Sequence, residues 1–400
     1  MKNSTFLPQV MRVLVAALLL SVALACSAAE QRINQVQVIG THNSYSQPAD
    51  PRVFEIMGPM LRPIMESLGQ RMSAQAKAQF TDEHPNKLAD DLSGALEYRF
   101  PTIDAQLRLG LRSLEFDLNV DHEGGRFLDP LSYRLLRQRG DNNLEPLYVD
   151  SLKEPGLKTL HMADVDFRSS CPTFRLCLQQ MRAWSDANPD HSLVYVLLEP
   201  KLFNVVSALP EATQVAPFDA RAFVEMDDSI REVLGAKRVI TPDDVRGQSP
   251  TLEQGALAGH WPTVEQARGK FIFLMIAGAD EAYAPYLDGH PNLEGRMAFV
   301  RGRPGAAHAA FVMIDNAMTR GEEIADLVRK GYLVRTRADI DTGEARSNDT
   351  RRRDAALASG AQIISTDYPF TPNIFGNGYV VPPFSGGYRV NPVTTTMAGD

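Results

Sequence analysis

The chain has 400 residues, 44% of them hydrophobic and 22% charged, with a net charge of −8. This is the composition of a folded protein with ample core, long for a small domain but ordinary for a large barrel with insertions. The negative balance excludes nonspecific attraction to nucleic acid, which needs a basic face, so a phosphate-bearing substrate has to be held by local groups.

The first elements form a targeting segment, residues 1–29. Lys2 and Arg12 precede an apolar run, Val13 to Ala25, of the length of a signal h-region and too short for a membrane span of about twenty residues. Ser27-Ala28-Ala29 satisfies a small-residue cleavage rule. So does Ala23-Leu24-Ala25 ahead of Cys26, which adds a lipoprotein option, although Ala23 fits poorly where such sites carry Leu. Met11 is an alternative start. The expectation is export as a soluble protein. Cys171 and Cys177, in CPTFRLC, allow a local disulfide in that compartment and make a poor zinc site, with no histidine nearby.

Beyond the leader, short apolar runs alternate with helical stretches. Strands are expected at Val36–Ile39, Ser113–Leu118, Leu157–Leu160, Leu193–Leu198, Phe271–Met275, Phe311–Ile314, Tyr332–Val334 and Gln362–Ile364, with Met297–Val300 as an alternative sixth. Helices are expected at Thr173–Ala187, Asp219–Leu234, Glu322–Lys330 and Thr350–Ser359, the last closed by Gly360. Eight strands alternating with helices predict an α/β fold, a parallel TIM-type (β/α)8 barrel, regular or distorted, over residues 33–381. A Met-rich helical insertion, residues 48–100, follows the first strand; it reads as a lid, a lipid-facing helix pair or ordinary packing. Val120–Pro155 reads as a loop-like second insertion, and Tyr379–Asp400 as a loose end whose last part, 382–400, is a C-terminal tail.

In a parallel barrel the functional face lies at the C-terminal strand ends. The first strand delivers His42 and Asn43. In LRSLEFDL, Ser113, Glu115 and Asp117 share one face and Leu114, Phe116 and Leu118 the other. Both faces of a barrel strand are covered, so two inward carboxylates repel each other and need a cation or protons. His161 follows the third run, and SLVYVLLEPK passes through apolar residues into Glu199, with Lys201 just beyond. The seventh strand ends in Arg335, Arg337 and Asp339, and the eighth in Ser365 and Asp367. One amide oxygen and three carboxylates form a hard-oxygen set suited to Ca2+, which takes six to eight such ligands, rather than to zinc. Two histidines then supply general acid and base. The residues alone read as calcium-assisted cleavage of a phosphodiester. No nucleophile elbow, phosphate-binding loop or dinucleotide glycine pattern competes.

THNSY, LGLRSLEFDL, LKTLHMADVDF, VLLEPK and ARSNDTRRRDAALASGAQIISTDYP, in that order, resemble the bacterial calcium-dependent phosphatidylinositol-specific phospholipases C from about Ile33 to Val381. The set His-Asn, Glu-x-Asp, His, Glu also resembles the catalytic half of eukaryotic phosphoinositide phospholipases C. The resemblance implies that Asn43, Glu115, Asp117 and Glu199 ligate calcium and that His42 and His161 flank the scissile phosphate. The implied products are diacylglycerol and an inositol cyclic phosphate, formed from a phospholipid at a membrane surface. Which histidine is base stays open, as does a calcium-bound carboxylate in that role. Lys201 and Arg337 are candidates for phosphate or inositol contacts, or are surface cations; Asp367 holds an inositol hydroxyl or caps the last strand. Arg351, Arg352 and Arg353 read as a solvated face. No protein partner is evident. The rival readings are a glycerophosphodiester phosphodiesterase and a catalytically silent headgroup-binding barrel.

Overall fold

The computed structural model describes residues 31–83, 92–147, 149–278 and 280–394. The expected leader, with both cleavage options and Cys26, lies outside the described residues. The strands, in chain order, are β1 Val36–Thr41, β2 Ser113–Asn119, β3 Lys158–Thr159, β4 Val194–Pro200, β5 Val239–Ile240, β6 Phe271–Met275, β7 Ala298–Val300, β8 Phe311–Met313, β9 Leu333–Arg337, β10 Ile363–Thr366 and β11 Arg389–Val390.

Parallel pairing runs β7-β6-β4-β2-β1-β10-β9-β8. The ring is completed where Arg301, just after β7, bridges Phe311 of β8, and Gly302 N–H donates to Phe311 O at 2.9 Å. The result is an eight-stranded parallel barrel with one thin seam, β7 to β8. Its strands are buried almost throughout because helices cover the outer face and side chains fill the inner one, which is why they read as continuous apolar runs.

Two strand expectations change. Leu157–Leu160 is not a barrel strand: only Lys158–Thr159 is extended, and it pairs antiparallel with the end of β2. The slot beside β2 is already filled by β4, in register from Ser113–Tyr195 to Leu118–Pro200. The vacancy in the count is taken at Met297–Val300, of which Ala298–Val300 is β7, so this run and Phe311–Met313 both serve.

The helices at Phe174–Ala187 and Ala220–Leu234 start where Thr173 and Asp219 accept hydrogen bonds from Leu176 N and Ala222 N. Asn316 does the same for Met318, extending the third to Ala317–Lys330, and Gly331 ends it in the left-handed region. In the insertion, the helix Pro51–Arg71 buries Val53, Met57 and Leu61 against Leu131, Tyr133 and Leu136. These last three lie on or beside a helix, Leu131–Gln138, inside the stretch expected to be loop. Met57 is thus core, while Met60, Met65 and Met72 are half-buried. The C-terminal end is not loose as far as Thr394: β11 pairs antiparallel with the start of β1, and Arg389 donates to Gln37 Oε1 at 2.7 Å. Among the described residues no helix is long and apolar enough to cross a membrane.

At the β1–β2 contact, Gly40 lies opposite Ser113, and a Cβ on Gly40 would stand 2.2 Å from Ser113 Cβ and 2.5 Å from its carbonyl oxygen. Gly40→Ala is therefore expected to force the strands apart and cost about 2–4 kcal/mol, read as a lower midpoint in urea denaturation.

Candidate active site

The turn after β1 is fixed before any ligand is considered. Thr41 Oγ1 meets Ser44 Oγ at 2.6 Å and donates to Gln106 Oε1 at 2.7 Å, and Glu115 N–H donates to Ser44 Oγ at 2.8 Å. Asn43 turns the chain with φ of +46°, a left-handed conformation that asparagine tolerates better than most residues. The turn brings His42 to Asp367 and Asn43 to Tyr98.

Asn43 is fully buried. Its Nδ2 donates to Tyr98 Oη at 2.8 Å, and its Oδ1 has no hydrogen-bond partner among the described residues. Tyr98 comes from the end of the insertion. Its ring also lies 5.4 Å, centroid to centroid, from the His42 imidazole.

Glu115 and Asp117 point inward from β2 as their alternation predicts, and Glu199 joins them from β4, directly opposite Asp117 in register. One carboxylate oxygen of each lies within 4.8 Å of the others. Three such groups at this depth need positive charge, and the chain supplies some. Arg335 Nη2 pairs with Glu115 at 3.1 Å, and Lys201 Nζ stands 2.7 Å from Asp117 and 3.1 Å from Glu199. Even so, neither oxygen of Asp117 makes a well-directed hydrogen bond among the described residues. Burial pushes Glu115 up to about 8 against the pull of Arg335, and Asp117 up to about 6 against that of Lys201. Burial would raise Glu199 as well, but Lys201 and His161 outweigh it and hold this carboxyl below its usual range.

The two histidines are anchored alike. His42 Nδ1 lies 3.0 Å from Asp367 Oδ1, and His161 Nδ1 lies 2.8 Å from Asp166 Oδ2. The rings face each other edge to face, 6.5 Å between centroids. Among the described residues neither Nε2 makes a hydrogen bond, that of His42 lying 3.8 Å from Glu115. Burial lowers the His42 pKa well below its ordinary value, helped by the Arg337 charge and His161. Arg337 Nη2 holds the other oxygen of Asp367 at 2.9 Å, and burial lifts Asp367 to about 6. Beside this pair opens a cavity of about 290 Å³ lined by Tyr98, Arg99, Asp367, Tyr368, Phe370 and Ile374.

All nine residues given a site role in the sequence converge on one end of the barrel. His161 arrives there on the antiparallel return β3 rather than at the end of a barrel strand. Lys201 and Arg337 both meet carboxylates, and Asp367 anchors His42. Three contributors were not singled out: Tyr98, Asp166 and Asp315, which pairs with Arg335; Asp339, noted at the end of the seventh strand, accepts from Asp367 N–H at 2.7 Å. Asp166 was within reach, five residues after His161 in HMADVD. Tyr98 was not, because nothing in an insertion fixes where its end will lie.

The buried, unbonded Asn43 Oδ1 and the underbonded Asp117 are acceptors that a hard cation would satisfy, and an amide oxygen with three carboxylates fits calcium.

A family model described as phosphoinositide phospholipase C, Ca2+-dependent, matches residues 31–392. Among solved structures, the apo form of a calcium-dependent phosphoinositol-specific phospholipase C from a Gram-negative Pseudomonas species, in complex with myo-inositol, aligns over 91% of this chain and 97% of its own. Its identity is 11% and its TM-score 0.51. A Ca2+-dependent phosphatidylinositol-specific phospholipase C from Streptomyces antibioticus aligns over 84% of this chain and 95% of its own, with 18% identity and a TM-score of 0.49. The Pseudomonas structure supports the barrel fold. A comparison with curated sequences finds no match.

Two outcomes are expected. Calcium taken up among these carboxylates needs them ionised, so it displaces the proton that burial keeps on Glu115 below about pH 8. Apparent affinity should therefore rise with pH up to about 8, with proton release seen as buffer-dependent heat in calorimetry. Tyr98→Phe removes the acceptor that orients the Asn43 amide, and should weaken calcium binding about tenfold without unfolding the protein.

Proposed function

Because the chain belongs to the Ca2+-dependent phosphoinositide phospholipase C family, we propose that it cleaves phosphatidylinositol at a membrane surface, releasing diacylglycerol and an inositol cyclic phosphate. The observation that carries this reading is the pair of facing imidazoles, each held at Nδ1 by a carboxylate, beside a three-carboxylate cluster. In this reading Asn43, Glu115, Asp117 and Glu199 hold the cofactor, calcium. Bound there, it offsets charge on the phosphate and favours ionisation of the attacking hydroxyl.

The remaining chemistry belongs to side chains. The inositol 2-hydroxyl oxygen bonds to phosphorus and the bond from phosphorus to the diacylglycerol oxygen breaks. One imidazole Nε2 takes the hydroxyl proton, and the other gives a proton to the departing oxygen. Asp367 and Asp166 fix the ring orientations that this division needs. Arg337 holds Asp367 in place and Arg335 holds Glu115, each cation easing the ionisation that burial opposes. The cavity lined by Tyr98, Asp367 and Tyr368 is where the inositol ring would sit.

Export fits the same reading. The Cys171–Cys177 disulfide belongs in an oxidising compartment, and residues 1–29 have the pattern of a leader.

The test is incubation of the mature protein with phosphatidylinositol vesicles, in calcium or in chelator, with water-soluble products followed by phosphorus NMR. The expected result is an inositol cyclic phosphate formed only with calcium. Glycerol phosphate released from deacylated lipid would favour the phosphodiesterase reading, and no phosphorus product from a folded protein would favour a silent binder. His42→Ala and His161→Ala are each expected to lower turnover about 10²–10⁴-fold, with calcium binding kept within a few-fold.

A further inference from the structure

Lys201 leaves the end of β4 two residues after Glu199, and its backbone N–H donates to Leu118 O at 2.9 Å, which ties this position across to β2. From there the side chain turns inward, only 12% exposed, rather than out toward the cavity where substrate would lie. Its ammonium stands 2.7 Å from Asp117 Oδ2 and 3.1 Å from Glu199 Oε1. A lysine offers a compact point charge with three donors. Here that charge is shared between two of the three carboxylates that could also hold a metal ion.

A divalent cation placed among Glu115, Asp117 and Glu199 meets this ammonium in one of two ways. Either Lys201 stays and the two cations repel across a few ångströms of poorly screened interior, or Lys201 swings out and loses both ion pairs. Each course subtracts from calcium affinity. A neutral side chain of similar length would impose neither cost.

We propose that Lys201 is a built-in competitor of calcium, a positioned charge that raises the calcium concentration at which the site fills. The proposal rests on reading Asn43, Glu115, Asp117 and Glu199 as the calcium ligands. Its consequence is a threshold: where calcium is scarce the lysine satisfies the carboxylates and the enzyme stays unloaded, and where calcium is abundant the ion takes over.

The experiment is calorimetric calcium titration of the wild type, Lys201→Met and Lys201→Arg at mildly alkaline pH, where proton competition is small, with thermal unfolding of each measured with and without calcium. The expected result is that Lys201→Met binds calcium at least about tenfold more tightly than wild type. Its metal-free form should melt lower and its calcium-induced rise in Tm should be larger, while Lys201→Arg stays near wild type. A folded Lys201→Met protein with unchanged or weaker calcium affinity overturns the proposal, since a lysine that merely braces the site would give that result. Should Lys201→Met fail to fold, the nitrogen-15 resonance of the Lys201 ammonium in the wild type decides: it should move or broaden as calcium is added, and an unmoved resonance at saturating calcium overturns the proposal. Failure of the ligand assignment looks different. There the wild type and Glu199→Gln would bind calcium equally well, or neither would bind it, and the proposal would fall with it.

Discussion

The rest of the site depends on the mutual repulsion of Glu115, Asp117 and Glu199 at the covered end of a barrel. Three carboxylates there are costly because burial favours their neutral forms and each charge opposes the others. Three ion-pair contacts at the barrel mouth can be read as a response. Arg335 answers Glu115, Lys201 answers Asp117 and Glu199, and Asp315 in turn balances Arg335. What these cations leave over, among the described residues, is Asn43 Oδ1 without a hydrogen-bond partner and Asp117, whose close contact with Lys201 is poorly directed.

The barrel makes this concentration of charge possible. Parallel register between β2 and β4 puts Asp117 level with Glu199, and pairing of β1 with both β2 and β10 brings the Thr41–Ser44 turn beside Glu115 on one side and Asp367 on the other. The helices and the insertion supply a scaffold stiff enough to hold groups that would otherwise separate. Tyr98, arriving from the insertion, both orients the Asn43 amide and lies against the His42 ring.

Much of this was legible in the sequence because barrel strands carry a simple code: apolar residues on both faces, polar exceptions only where chemistry requires them. Glu115 and Asp117 break that code in mid-strand, and Glu199 breaks it at a strand end, so all three stood out. The barrel itself followed from alternating runs, though Leu157–Leu160 was given a place that belongs to β7. A four-residue run such as LKTL has the same look whether it enters a sheet in parallel or folds back on a strand end, and pairing decides between them. The attachment of the C-terminal end to β1 was hidden for a similar reason, since two residues of edge pairing leave no periodic trace.

Pairings between charges were the least legible. Lys201 and Arg337 read as candidates for substrate because strand ends face ligands, yet both spend their charge on neighbouring carboxylates. No spacing in the sequence announces such pairings, which form only when separate strand ends meet. The central claim, that this cluster is a calcium site, is tested most directly by diffraction from crystals grown in calcium, with anomalous differences locating the ion. Expected is a single strong peak contacting Asn43 Oδ1 and oxygens of Glu115, Asp117 and Glu199. A site left empty at saturating calcium, or a peak on other ligands, would contradict it.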